Sequence, residues 1–258
     1  MSTLDPRGVN GDAVTPVAGA VSPPVAGSPL QAGAPAPRPP TQARTAVRRL
    51  PDKQVRDRGQ LDALLDTALV GHVAVLEVGD GSAPPRPYVI PVAFTRDHDQ
   101  VLVHGSTASR AFRALATGQP TCLTVTVVDG IIVARSQFES SMRYRSAMVF
   151  GCFEVLHGPA KAAGLARLAA RLLPGLDGPR PPSAQELKAT AVLAMPLEEW
   201  SLKVSAGDPD DAAEDLDRPV WAGTIPLQHL WGAPVAAPGL SPELVVPDAV
   251  AGWPRGQA

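Results

Sequence analysis

Residues 121–138 constrain the fold most. Thr121 to Val128 is β-branched almost throughout, Asp129-Gly130 follows, and residues 131–138 return as a second apolar run. An Asp-Gly pair between two such runs is the strongest short-range hairpin signal a sequence carries. Upstream, the apolar runs 73–78 and 88–94 bracket the turn-rich stretch 79–85, a second expected hairpin. The polar turn 95–100 then leads into a further run at 101–103. Turns this short join antiparallel neighbours, because a parallel pair needs a long crossover. Pro91 interrupts the run at 88–94, which places it at an edge or bulge, where backbone groups become free to meet a ligand.

Helical spacing punctuates these strands. Leu61, Leu64, Leu65, Ala68 and Leu69 form one stripe, closed by Gly71. A short helix is expected over 109–117, stopping at Gly118 with Pro120 beyond. A third is expected over 159–173, with Leu165, Leu168, Ala169 and Leu172 on one face. Ser183 to Glu186 reads as a capping box that opens a fourth. Strands are expected at 146–156, 191–195 and 200–204, and residues 221–227 are expected to re-enter the core. The sum is a mainly β protein with α elements (α+β). Six or more antiparallel strands fit a small barrel, closed to remove its edges, better than a doubly wound sheet. The glycine fingerprints of dinucleotide folds and P-loops are missing.

The 258 residues, 45% hydrophobic and 19% charged, suffice for one core plus tails. Residues 1–42, rich in Pro and Ala, are expected to be a disordered tail. The domain spans 43–235, and 236–258 form a loose C-terminal tail. A net charge of -2 argues against a nucleic-acid surface. No apolar run reaches the length of a membrane span, and the first residues lack the pattern of a signal peptide. The expected location is therefore cytoplasmic. Cys122 and Cys152 are too few for a disulfide framework and read as buried thiols.

Chemistry concentrates at the strand-to-helix corner that follows residue 103. His104, Gly105, Ser106, Thr107, Ser109 and Arg110 combine hydroxyls, a cation and a helix start, whose unpaired N–H groups suit an anion. Two readings stand side by side: a phosphate-binding corner, or an ordinary turn capped by Ser or Thr. A second polar patch, 136–146, sits between very apolar strands and reads as either a surface loop or a polar-ligand contact. The acidic run Asp208, Asp210, Asp211, Glu214, Asp215 and Asp217 lacks ligand spacing and reads as a solvated loop; no metal site is expected. His72 and His157 flank apolar strands and read as packing or hydrogen-bonding residues.

Four stretches in order carry a resemblance: residues 104–110; residues 125–136 with their central Asp-Gly; Ser141 to Ser146 with Val149-Phe150-Gly151; and Trp221-Ala222-Gly223 with Pro226-Leu227. Together they resemble the pyridoxamine 5′-phosphate oxidase-like, flavin-nucleotide-binding split-barrel family, over roughly residues 44–235. The resemblance implies a six-stranded antiparallel Greek-key split barrel with flanking helices, working as a homodimer with FMN at the subunit interface. It places the flavin ring against backbone at Pro91 and Val92. The phosphate falls on His104, Gly105, Ser106, Ser109 and Arg110, with further contacts from Ser141, Tyr144, Arg145 and Lys203. Glu139-Ser140 and Ser205-Ala206 depart from the family's histidine pair and Arg-Thr pair. Those departures, and the unclear C-terminal basic and tryptophan elements, argue against vitamin B6 oxidation.

Function at this point has three alternatives. The first is an FMN-dependent oxidoreductase acting on a small molecule, with no residue standing out as catalytic. The second is a protein that holds flavin or haem without turnover, and the third is a dimeric barrel that has lost its cofactor. In the redox readings the flavin carries the chemistry and the protein supplies position and electrostatics.

Overall fold

In the computed structural model, residues 44–78, 84–173 and 175–252 are described. The expected tail at 1–42 and the end of the C-terminal tail lie outside the described residues. Ten strands follow in chain order: β1 (Gln54–Val55), β2 (Val70–Glu77), β3 (Arg86–Asp97), β4 (Gln100–Ser106), β5 (Pro120–Val133), β6 (Ser141–Cys152), β7 (Glu154–Val155), β8 (Thr190–Pro196), β9 (Glu199–Ser205) and β10 (Gly223–Pro226). The helices are α1 (Arg58–Thr67), α2 (Arg110–Leu115), α3 (Gly158–Leu172), α4 (Ala184–Ala189) and α5 (Asp248–Ala251).

All pairings are antiparallel, in the order β1-β9-β6-β5-β2-β3-β4-β8-β7, with β10 added to β5. Only Leu197 and Glu198 link β8 to β9, although these strands stand near opposite ends of that order. A two-residue link reaches so far only if the sheet curls. Gly151 of β6 and Met195 of β8 accordingly meet: a Cβ at 151 would lie 3.0 Å from Met195 Cγ. Among the described residues no strand pairing completes the ring, so the sheet is open rather than the closed barrel expected.

Alternation sends one face of each strand inward. Val73, Val75, Phe94, Val101, Val103, Leu123, Val125, Val149, Leu193 and Leu202 form the main core, and the α1 stripe Leu61, Leu64 and Leu65 fills it. Asp57 starts α1, its carboxylate accepting the Gln60 N–H at 2.9 Å. On the opposite face of β4 and β8, α3 lays Leu168 over Leu102, Val192 and Ala194, a smaller second core. α4 has the expected capping box between Ser183 and Glu186.

Three expectations need correction. Asp129-Gly130 is not a hairpin turn: β5 runs through it with a bulge between Val128 and Gly130, and the turn falls at residues 134–140. The cause is pairing on both sides, since Gly130 faces Arg143 of β6 and Pro226 of β10. A Cβ there would lie 2.5 Å from the Ile225 carbonyl oxygen. The patch from 136 is therefore only partly a loop, because β6 begins at Ser141. Second, Trp221 does not re-enter the core; it is 65% exposed, and the chain behind it joins the sheet only as β10. Third, the acidic run is not wholly solvated. The Asp211 side chain is 2% exposed, and its carboxylate accepts the Arg135 backbone N–H at 2.5 Å and Arg135 Nη1 at 2.6 Å.

Candidate functional site

Between β3 and β4 the sheet splits. β3 pairs with β2 over residues 86–93 and with β4 only over 94–97. Beyond Val103, β4 turns to β8, pairing His104 with Val192, Gly105 with Ala191 and Ser106 with Thr190. Residues 86–93 thus have strand neighbours on one side only, among the described residues, and Pro91 lies inside that stretch opposite His72. Proline supplies no N–H to a ladder, so it fits where one side of the strand is unpartnered. Pro91 is exposed on the outer face, and Val92 points into the core.

The corner after β4 is tightly satisfied by its own chain. Ser109 caps α2 by accepting the Phe112 N–H, Ser106 Oγ accepts the Ala108 N–H at 3.1 Å, and Thr107 donates through both N–H and hydroxyl to the Ala189 carbonyl. The capped-turn reading therefore describes most of these hydroxyls, and α2 has only six residues. Gly105 is explained by packing: a Cβ there would lie 2.4 Å from the buried Phe112 ring. His104 is half-buried on the α3 side of the sheet, where desolvation lowers its imidazole below the ordinary 6.5. Burial therefore disfavours its charged form. Burial likewise raises the Cys122 thiol, with a hydrogen bond to Thr124 opposing.

From this corner Arg110 reaches toward β2 and β3. Its guanidinium carbon lies 5.2 Å from the centroid of the Tyr88 ring, and its Nε lies 3.4 Å from Glu77 Oε1. Its side chain is 67% exposed. Tyr88 Oη is buried and has no hydrogen-bond partner among the described residues, an uncommon state for a phenol. Sequence reasoning found Arg110 and missed both neighbours. Strand alternation carried a partial signal, because Glu77 and Tyr88 fall on the inward faces of paired strands that end at the split.

The remaining candidates lie elsewhere in the chain. Ser141 starts β6 and is exposed. Tyr144 pairs with Val128 and Ser205. Arg145 holds Asp129 through two bonds, at 2.7 and 3.0 Å, which raises the guanidinium pKa further. Lys203 donates to the Arg49 carbonyl at 3.2 Å. Among the described residues, no hydrogen bond or strand pairing joins this group to the His104–Arg110 corner. His72, expected to pack, is exposed on the outer face of β2, with the exposed apolar side chains Val70, Leu76, Val89 and Met148 on the same face. No group of three His, Cys, Asp or Glu side chains is placed to hold a metal ion among the described residues, and no described helix is long and apolar enough to cross a membrane.

A curled antiparallel sheet that splits beside a strand-to-helix corner defines the class: an α+β protein of split-sheet architecture. The sequence pattern of the family described as pyridoxamine 5′-phosphate oxidase matches residues 57–204, and the chain belongs to that family. Among solved structures it is similar to the FAD and heme binding protein from Mycobacterium smegmatis, 45% identical over 77% of this chain and 95% of that one, with a TM-score of 0.71. It is also similar to the flavocytochrome Anf3 from Azotobacter vinelandii, 35% identical over 81% of this chain and 96% of that one, with a TM-score of 0.74. No curated protein matches it.

Proposed function

We propose that this chain binds a flavin nucleotide at the split between β3 and the β4–α2 corner, and that it is an FMN-dependent oxidoreductase acting on a small molecule. The observation that carries the reading is the one-sided stretch of β3, with the buried, unpartnered Tyr88 hydroxyl at its inner face. Backbone groups with no strand partner suit the polar edge of an isoalloxazine, and an orphaned hydroxyl suits a ligand oxygen or nitrogen. Relatives named for FAD, at 45% identity, and as a flavocytochrome, at 35%, support the same cofactor class. Bound flavin would supply the redox chemistry, and this chain positions it. Backbone around Pro91 and Val92 holds the ring edge, and Arg110 with the hydroxyls of Ser106 and Ser109 meets the phosphate. Burial disfavours charge on His104 where the corner begins, and Gly105 lets Phe112 pack so that the corner keeps its shape.

The second group, Ser141, Tyr144, Arg145 and Lys203, is assigned to the flavin of a second copy across a homodimer. This assignment rests on their separation from the corner within one chain. Arg110→Ala tests the site: titrated with FMN or FAD, the variant loses about tenfold in affinity while unfolding at an unchanged urea midpoint. Equal affinity in variant and parent contradicts the assignment.

A haem reading is favoured by one further observation, His72 exposed amid apolar side chains directly opposite Pro91. Imidazole on an apolar surface fits a haem iron and its porphyrin. Of the two solved structures described above, one is named for heme and the other as a flavocytochrome. If His72 holds haem, reconstituted protein shows a Soret band that His72→Ala abolishes without loss of flavin uptake. A Soret band of undiminished intensity in the variant removes His72 from the assignment.

A further inference from the structure

The contact between Glu77 and Arg110 goes beyond capping and packing. Arg110 is the one cation so far assigned to the flavin phosphate, yet a carboxylate already stands beside it. Three features describe that carboxylate. It approaches only to 3.4 Å, longer than the usual 2.7–2.9 Å of a charge-assisted hydrogen bond. It meets a guanidinium that is 67% exposed, so the pair is readily exchanged for solvent or another anion. And it sits at the last residue of β2, on the inward face, where the split opens toward α2.

The Tyr88 ring lies beneath the same guanidinium, and its hydroxyl is buried without a partner. A phosphate oxygen that displaces Glu77 would meet the exposed guanidinium and approach the Tyr88 ring beneath it, whose buried hydroxyl lacks a partner among the described residues. Glu77 makes its contact with the guanidinium alone.

We infer that Glu77 is a placeholder: its carboxylate occupies Arg110 until a phosphate or pyrophosphate displaces it, and so weakens binding of the anionic end of the ligand. The inference rests on the flavin reading for the identity of the ligand, but not for the exchange itself. In the exchange no covalent bond forms or breaks. One ion pair is traded for another, and the released carboxylate turns to water. Removing its charge strengthens anion binding, and the gain shrinks as salt screens both partners. A weak exposed ion pair of this kind sets the gain at about two- to fivefold.

The experiment is isothermal titration of the full chain and of Glu77→Gln with inorganic pyrophosphate, at low and high ionic strength, and separately with FMN. The expected result is pyrophosphate binding about two- to fivefold tighter in Glu77→Gln at low salt, with the advantage lost at high salt. In an Arg110→Ala background the Glu77→Gln change has no effect, because its target is gone. Tyr88→Phe binds pyrophosphate more weakly than the parent. Unchanged or weaker binding by Glu77→Gln overturns the inference and makes Glu77 a support for Arg110. So does the absence of pyrophosphate binding in both proteins. Pyrophosphate binding that follows the expected pattern while FMN does not bind upholds the placeholder and removes the FMN reading instead.

Discussion

Pro91 faces His72 in register across β2 and β3, at the place where β3 has no strand on its other side among the described residues. The two residues mark opposite uses of one stretch of sheet. Pro91 leaves its edge without a donor, and His72 projects an imidazole from the outer face among exposed apolar side chains. In an antiparallel pair, facing Cα atoms stand about 4.5–5.5 Å apart. A ligand at the strand edge and one on the outer face would be near neighbours.

Gly105→Ala destabilises the protein by about 1–3 kcal/mol, the usual cost of overpacking a filled core. The added Cβ would come 2.4 Å from the Phe112 ring, which is 6% exposed and cannot swing away freely. Urea unfolding measures the loss, and Phe112→Leu in the same chain recovers part of it by making room. A neutral Gly105→Ala would show that the ring is free to move.

Asp211→Ala costs about 2–3 kcal/mol, because it removes the acceptor of two bonds to Arg135, one of them to a guanidinium. Arg135 Nε is itself buried without a partner among the described residues, which leaves Asp211 as the group that holds this cation there. The double variant with Arg135→Ala loses less than the two single changes summed. Strict additivity would mean that the pair contributes nothing as a pair.

Stability falls in mild acid partly through His104. Burial lowers its folded pKa below the ordinary 6.5, so below about pH 6.5 the unfolded chain takes up the proton first. The contribution is complete above the unfolded pKa and is lost as pH falls through the folded one. Urea midpoints between pH 7.5 and 5.0 should therefore drop less for His104→Asn than for the parent. Identical pH slopes in both proteins would mean that burial of this imidazole does not penalise its charge.

Much of the architecture is legible in the sequence, since period-2 alternation and short turns are local signals. The β2–β3 hairpin, α1, α3, the Ser183 capping box, β8 and β9 all follow from them. Asp129-Gly130 misleads for a nonlocal reason: β10, more than ninety residues downstream, pairs with β5 and turns the expected hairpin into a bulge. Asp211 is hidden for a similar reason. Nothing in an acidic run says which member meets an arginine 76 residues away. At the candidate site the cation and hydroxyls are visible as a cluster in sequence. Glu77 and Tyr88 reach Arg110 only through strand register and the split, which no local pattern encodes.

The most direct test of the account is the stoichiometry of flavin uptake by the purified full chain, read from visible absorption during titration with FMN and with FAD. The account predicts flavin bands that saturate at one flavin per chain and survive gel filtration. A chain that stays colourless and retains neither nucleotide would contradict it.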